Sequence, residues 1–466
     1  MAVQFITSLL LLPILTKNLD VYFYGIWVLI ITSITLISMI TPVGMPYTLV
    51  RFLAAEKKKE VITEGIYSAT ILVLIISLVP SIILLALSQF IINLLSIDMN
   101  TVIFIALLFP MTSISKIFLH VFRAFKKMKS YSFFTLSKTI CEAALISFFI
   151  LSGSGIQGGI FAMTIVRAVF LLLMLTSLIH NFGIKFPDFS GIKEYLRFGL
   201  PTISTSLSNW IVRISDRYII GILLGAIFVG FYNPGYSVGY LLFHLITPIA
   251  FVLLPTVSRL YDEKKKKEVN KYLEYTLKYF LILAIPAGFG ISILAKKLLL
   301  ILTTPEIASE GYIIVPFVAI SAIIFGFHRV TSDQILSLVK KTKTIAKLWI
   351  TAAILNVIIN IILIPKVGIV GAAISTVISY SIIAIIGVYY SFKFIRFNIN
   401  AVVILKSLIA SIIMSLAIIY FDPKGILNIL VLIILSASIY FIIMILLKSF
   451  SKKELIFFKN LIFNWK

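Results

Sequence analysis

Residues 198–222 run Phe198-Gly199-Leu200-Pro201-Thr202-Ile203-Ser204-Thr205-Ser206-Leu207-Ser208-Asn209-Trp210-Ile211-Val212-Arg213-Ile214-Ser215-Asp216-Arg217-Tyr218-Ile219-Ile220-Gly221-Ile222. As a helix this stretch is about 37 Å long, enough to cross a hydrocarbon core of about 30 Å. Its second half nevertheless carries Arg213, Asp216 and Arg217. Each ionised group inside a bilayer costs at least about 2.5–3.5 kcal/mol on insertion scales, so such residues face a bundle interior or a wet cavity. The rest of the chain is of the same kind. Of 466 residues, 60% are hydrophobic and 13% charged, against about 45–50% and about 25% in soluble domains. Mean hydropathy is +1.11. A water-soluble globule is excluded, as is a soluble body on one or two anchors.

Working outward, apolar segments fall near 1–16, 24–45, 65–87, 101–121, 132–152 and 156–178, and beyond the quoted stretch near 227–254, 276–295, 312–336, 345–364, 369–391, 401–420 and 425–447. Runs this long and continuous read as helices, not as the roughly ten-residue alternating strands of a membrane barrel. The expected fold class is an all-α integral membrane protein with about 14 transmembrane helices. Basic residues set its orientation. The connections around 51–59, 123–129, 185–197, 259–278, 340–347 and 393–406, with the tail from Lys448, hold thirty of the 41 Lys and Arg. The opposite connections hold only Lys17, Lys296, Lys297, Lys366 and Lys424. Positively charged loops stay on the cytoplasmic side, so both termini are expected there.

The first segment lacks a basic n-region and a small-residue cleavage site, so it reads as a spanning helix and not a removable signal. Its sixteen residues reach about 24 Å, which implies either a short helix or further residues upstream. Cys141 is the only cysteine, leaving no intrachain disulfide and no Cys-based metal site. The four histidines have no second ligand at metal spacing, and no metal or cofactor is expected.

Phe23-Tyr24-Gly25-Ile26-Trp27 is echoed by Phe228-Val229-Gly230-Phe231-Tyr232, and Gly155-Ile156-Gln157-Gly158 by Gly368-Ile369-Val370-Gly371. Similar offsets at both ends of a six-helix block suggest duplication. The expected organisation is a six-helix bundle over 1–181, a second over 182–397, and two additional helices with a basic cytoplasmic tail over 398–466.

Six basic residues remain inside spans: Lys116, Lys138, Arg167, Arg213, Arg217 and Arg329. The embedded acids are Glu142, Asp216 and Asp333. Glu142 and Arg167 both fall near mid-membrane on consecutive helices and can pair, while Lys138 and Glu142 share a helix face. Such a trio either fastens helices or couples transport to Na+ or H+, with Asp216 and Asp333 as further candidate coupling acids. Arg213 and Arg217, four apart, share a face that Asp216 can only half neutralise. A guanidinium stays charged when desolvated and grips paired oxygens bidentately, which suits phosphate. The expected substrate-binding residues are Arg213 and Arg217, with Asp216 tuning them, Arg329 assisting and Trp210 beside them. The alternative for the arginines is snorkelling to the headgroups.

Pro201, the Trp210–Tyr218 stretch with its Ser215-Asp216-Arg217 core, Gly221 to Gly225, Val229-Gly230-Phe231-Tyr232 and Leu254-Pro255-Thr256-Val257-Ser258-Arg259-Leu260 resemble the polysaccharide transporter branch of the multidrug/oligosaccharidyl-lipid/polysaccharide exporter superfamily, and most closely its Wzx-type oligosaccharide flippases. Leu12 to Thr16, Tyr24 to Trp27 and Ile364 to Ser375 look like that family's first and twelfth helix signatures. Family members usually carry extra residues ahead of the Gln4 region. The resemblance implies a V-shaped pair of six-helix bundles in a prokaryotic plasma membrane. It further implies alternating-access transfer of a polyprenyl-(pyro)phosphate-linked oligosaccharide to the outer leaflet, alongside a polymerase and glycosyltransferases, with membrane lipids as neighbours and no nucleic acid. A lipid II flippase would want the same cations. A cation-coupled drug exporter would want an acidic cavity, and a membrane glycosyltransferase or polymerase would need acids in a sizeable outer loop, whereas the outer loops are short and their few acids are chiefly Asp98, Glu306, Glu310 and Asp422.

Overall fold

The computed structural model describes residues 2–54, 56–423, 425–451 and 454, so Lys424 and the tail lysines Lys452, Lys453, Lys459 and Lys466 lie outside the described residues. The described chain is all-α. Its first part holds α1 (Ala2–Asn18), α2 (Val21–Ile40), α3 (Met45–Leu53), α4 (Lys59–Ala86), α5 (Ser88–Leu95), α6 (Met99–Ala124), α7 (Met128–Leu151), α8 (Gly155–Phe182), α9 (Ile192–Ile214), α10 (Asp216–Leu223) and α11 (Ala226–Tyr240). Then follow α12 (Phe243–Asp262), α13 (Lys266–Leu302), α14 (Pro305–Gly311), α15 (Val315–His328), a π-helical turn over Arg329–Asp333, α16 (Gln334–Leu338), α17 (Thr342–Val367), α18 (Ile369–Ser391), α19 (Ala401–Phe421) and α20 (Ile426–Leu446).

Twelve helical runs among the described residues are long and apolar enough to cross a membrane. The two expected spans missing from that set are the first and the seventh. The first is a short apolar helix, Leu9–Asn18. The seventh is divided at Ser215 into α9 and α10 and carries the embedded charges, so its hydropathy falls short for a physical reason. The eighth expected span is likewise divided, into α11 and α12.

Packing separates two compact units, residues 1–233 and 234–466, with the division inside α11 at Pro234. The duplication boundary drawn at 181/182 from the sequence echoes is a different quantity, and α9 and α10 pack with the first unit. In that unit α3, α4, α6 and α8 bury Leu49, Ile66, Val73, Ile117, Phe122 and Phe170 together. The echoed glycines meet one another there. A Cβ on Gly25 would stand 1.9 Å from the Ala226 carbonyl oxygen, and one on Gly230 would stand 2.5 Å from that of Val21. Val21 and Gly25 match Ala226 and Gly230 at the offset that joins the two motifs, so the echoed segments cross through equivalent positions. Small residues let helix backbones approach closely where water gives no hydrophobic drive between helices.

In the second unit α12, α13 and α19 surround Val257, Leu273, Phe280 and Val330. The α17–α18 hairpin is clasped by buried amides and hydroxyls: Asn360 Nδ2 donates to Asn356 Oδ1 at 3.0 Å and Ser375 Oγ to Asn360 Oδ1 at 2.5 Å. Beyond α20, Glu454 accepts from Lys278 Nζ at 2.8 Å, the Tyr279 hydroxyl at 2.6 Å and the Ser451 N–H at 2.7 Å. Burial alone would push this carboxyl up, but the donors outweigh it and bring it from 4.5 down to about 2.

Gly25→Ala should lower detergent-solubilised stability by about 1–3 kcal/mol through overpacking, while Gly290→Ala, whose Cβ meets nothing within 4 Å, should not; thermal unfolding of the two variants compares them. Because the Glu454 carboxyl is depressed in the folded state, its clasp contributes above pH 4.5 and is lost as pH falls toward about 2. The gap in unfolding temperature between the wild type and Glu454→Gln should therefore be open at pH 6 and close on acidification through that window.

Candidate functional site

The break at Ser215 has a chemical origin. Ser215 Oγ donates back to the Ile211 carbonyl at 2.7 Å, a bond that bends helices. Two residues on, the Arg217 N–H donates to Asp216 Oδ1 at 2.9 Å, and the Arg213 carbonyl accepts from Arg217 Nη1 at 2.7 Å. A side-chain carboxylate and a guanidinium thus stand in for the backbone partners of one helical turn.

Asp216 is fully buried and Arg217 is 5% exposed. Arg217 Nη1 donates to Asp216 Oδ1 at 2.6 Å, the Tyr232 hydroxyl donates to Asp216 Oδ2, and the guanidinium lies 5.4 Å from the centre of the Tyr232 ring. Asn233 Nδ2 donates to the Tyr24 hydroxyl at 2.9 Å, and Tyr218 shares a 2.6 Å hydrogen bond with Ser33. Arg213 is half-buried, with Nη1 at 3.5 Å from Asn209 Oδ1. Trp210 packs at a tilt of 48° near Tyr218, 6.0 Å between ring centres, and its indole N–H has no hydrogen-bond partner among the described residues. The structure therefore brings Trp210, Arg213, Asp216 and Arg217 together. Within that group Arg217 is already engaged by a carboxylate.

A second cationic group sits in the same unit on α6, α7 and α8. Arg167 Nε donates to Glu142 Oε1 at 2.8 Å and Nη1 to Thr112 Oγ1 at 2.6 Å, so the expected pair forms. Lys116 Nζ donates to the Ser38 carbonyl and hydroxyl at 2.8 and 2.9 Å. Lys138 lies one turn from Glu142, yet among the described residues no carboxylate comes within 4.0 Å of Lys116 or Lys138. All four charged side chains are half-buried. The cluster thus sets three cations around one acid, on surfaces that are neither sealed nor fully open.

Both groups touch α2, at Tyr24, Ser33 and Ser38. Fourteen residues of helix separate the first and last of these, a rise of about 21 Å. Polar partners for embedded cations are thereby strung along one helix through most of a bilayer's depth.

The third group belongs to the second unit. Asp333 accepts from Arg329 Nη1 at 2.8 Å, and His328 Nε2 lies 3.3 Å from its other oxygen. The π-helical turn widens the helix here, a feature frequent at functional sites, and Gly387 makes room for it: a Cβ there would meet Ser332 Oγ at 2.5 Å. Arg329 and Asp333 balance one another, whereas the first unit holds five embedded cations, Lys116, Lys138, Arg167, Arg213 and Arg217, against Glu142 and Asp216. The excess positive charge is confined to the first unit.

The polysaccharide biosynthesis protein profile matches residues 1–261, more than half of the chain. This chain belongs to that family. A MatE profile matches residues 201–362. A Haloferax volcanii protein named as a probable low-salt glycan biosynthesis flippase is 24% identical over 218 residues, 46% of each chain. A second from that organism, named as a probable flippase, is 29% identical over 200 residues, 42% of this chain and 40% of its own. The chain spans less than half the length of these curated relatives. The structure of the lipid II flippase MurJ in an inward closed conformation superposes with a TM-score of 0.74 at 18% identity, over 96% of this chain and 97% of that one. An inward-facing multidrug resistance MATE family transporter superposes with 0.68 at 16% identity, over 84% and 94%. At these identities the likeness is one of fold.

Tyr24, Ser38, Thr112, Tyr232 and Asn233 were not among the residues singled out from sequence. For Tyr24 and Tyr232 a signal existed, since each belongs to one copy of the echoed motif. For Ser38 and Thr112 none did, because a hydroxyl on a spanning helix usually bonds its own backbone.

The buried pair yields a stability prediction. Asp216→Asn strands the Arg217 charge and should cost about 3–5 kcal/mol, whereas the double change Asp216→Asn with Arg217→Leu should recover much of that loss. Chemical denaturation of the three proteins in detergent reads the difference.

Proposed function

We propose that this chain is a flippase carrying a polyprenyl-(pyro)phosphate-linked oligosaccharide from the cytoplasmic to the outer leaflet of a prokaryotic plasma membrane by alternating access. It is a transporter and not an enzyme, and both termini face the cytoplasm, where the basic loops stay. The observation that carries this reading is the excess of embedded cations in the first unit, above all Lys116 and Lys138, which among the described residues no carboxylate neutralises within 4.0 Å. A sugar phosphate must move an anionic head across about 30 Å of hydrocarbon, and fixed cations lower that barrier.

The roles divide by how each charge is held. Lys116, Lys138 and Arg213 face the phosphate. Asp216 holds Arg217, so this pair positions Arg213 and keeps the site net positive. Arg329, tied to Asp333, is the assisting cation, and Trp210, buried beside Tyr218, is the aromatic member of the substrate-binding set. Glu142 and Asp333, each held by a guanidinium, are the coupling candidates for Na+ or H+, with Lys138 and Arg167 setting the charge around Glu142. The two halves of the duplication, with 398–466 appended, supply the alternation. A polymerase and glycosyltransferases act before and after the transfer. Names and fold likeness among the relatives agree with this reading, and an acidic-cavity drug exporter does not fit the charge.

In a strain lacking its own oligosaccharide flippase, Lys116→Gln with Lys138→Gln should restore surface glycan at least about tenfold less well than the wild type, the size expected for losing charge-assisted contacts. Arg213→Ala should fall in the same direction. Full restoration by both, at wild-type membrane abundance, would remove the site assignment.

A further inference from the structure

A cavity of about 540 Å³ opens beside the first turns of α13 and α19, with Lys267, Lys271, Asn400, Leu281, Val403 and Ile404 among its walls. Its construction is layered. The 37 residues of α13 extend about 56 Å, well beyond a core of about 30 Å, so the turns carrying Lys267 and Lys271 project past the hydrocarbon on the side that holds the basic loops. Leu281 lies below them, level with the start of the apolar helix α19. The cavity is therefore charged and wet at the rim and apolar toward the membrane.

The rim is fixed in place. Asn270 Nδ2 donates to the Arg396 carbonyl at 2.8 Å, and Glu274 Oε1 accepts from the Asn398 N–H at 2.9 Å, pinning the 392–400 connection against α13. Asn400 caps α19, its side chain accepting from the Val403 N–H at 3.1 Å, which turns the positive end of that helix toward the cavity. Glu274 is bound to the connection through Oε1 and leaves one negative charge at the rim against the two of Lys267 and Lys271, while Lys278 is held by Glu454. Among the described residues no carboxylate lies within 4.0 Å of Lys267 or Lys271, and Lys271 Nζ stands 5.8 Å from the centre of the Tyr275 ring. Two ammonium groups with no carboxylate at ion-pair distance among the described residues, a helix N-terminus and an apolar floor at the level of the headgroups match one kind of ligand.

We infer that this cavity is a seat for a single anionic phospholipid of the cytoplasmic leaflet, its phosphate between Lys267, Lys271 and the start of α19, and its acyl chains along Leu281, Val403 and Ile404. The seat belongs to the second unit and involves none of the embedded cations assigned to transport, so it stands or falls apart from the proposed function. A headgroup held there ties α13 to the additional C-terminal helices by a bridge that depends on lipid composition.

Native mass spectrometry of the purified full chain, released from nanodiscs of phosphatidylcholine doped with phosphatidylglycerol, tests the assignment. The wild type should retain one phosphatidylglycerol in preference to phosphatidylcholine. With each surface lysine worth a factor of about five toward an anionic headgroup, Lys267→Gln with Lys271→Gln should reduce that retention about 25-fold, while Lys57→Gln with Lys58→Gln, in another basic loop, should leave it unchanged. Equal retention of the two lipids, undiminished retention by a folded Lys267→Gln/Lys271→Gln protein, or displacement of the lipid by millimolar inorganic phosphate, which would make this a free-anion site, would each overturn the proposal.

Discussion

A guanidinium inside a bilayer must have its donors met, and the contact of Arg217 with Asp216 is where this chain meets that demand most completely. Both side chains are buried, the carboxylate accepts hydrogen bonds from a guanidinium N–H, a backbone N–H and the Tyr232 hydroxyl, and the helix itself gives way at Ser215 so that the Arg213 carbonyl can accept as well. Burying an ion pair is not in itself a stabilising device, because desolvation offsets most of the attraction. Its value lies in what it permits. With Arg217 neutralised, the polar run of α9 and α10 can stay within the first unit and present Arg213 beside it as a half-buried charge.

The same unit treats its other cations differently. Arg167 receives a carboxylate, but Lys116 receives only the oxygens of Ser38, and Lys138 receives no carboxylate at ion-pair distance among the described residues. Hydroxyls and carbonyls satisfy the donors of an ammonium group without cancelling its charge. The result is positive charge held among polar oxygens on spanning helices, with α2 as the common rail from Tyr24 to Ser38. Close approach of that rail to α11 depends on Gly25 and Gly230, positions where any side chain would strike backbone. Each echoed motif is thus the packing partner of the other.

Much of this was legible in the sequence, for reasons that differ by element. Spans such as 369–391 and 401–420 were readable because about 20 apolar residues in a row have few alternatives. The helix 198–222 was readable as a span but not as two helices: its break comes from Asp216 and Arg217 taking over backbone partners, a three-dimensional exchange that no periodicity encodes. The Glu142–Arg167 pair could be anticipated because both residues count to the same depth on consecutive helices. That Lys116 leans on Ser38 could not, since serine on a spanning helix ordinarily bonds its own preceding turn. The division of the packing at Pro234 was hidden for a similar reason, because the echoes record likeness of sequence whereas packing follows the grip of α2 and α3 on α9.

The most direct measurement is the dependence of affinity on headgroup charge. Binding of a polyprenyl pyrophosphate and of the matching uncharged polyprenol to the purified chain, compared in the same detergent, isolates the embedded cations from the lipid tail. A charge-selective site predicts that the pyrophosphate binds at least about a hundredfold more tightly, the size of two charge-assisted contacts, and that added salt weakens it little because the charges are partly buried. Equal affinity for the two lipids would contradict the account.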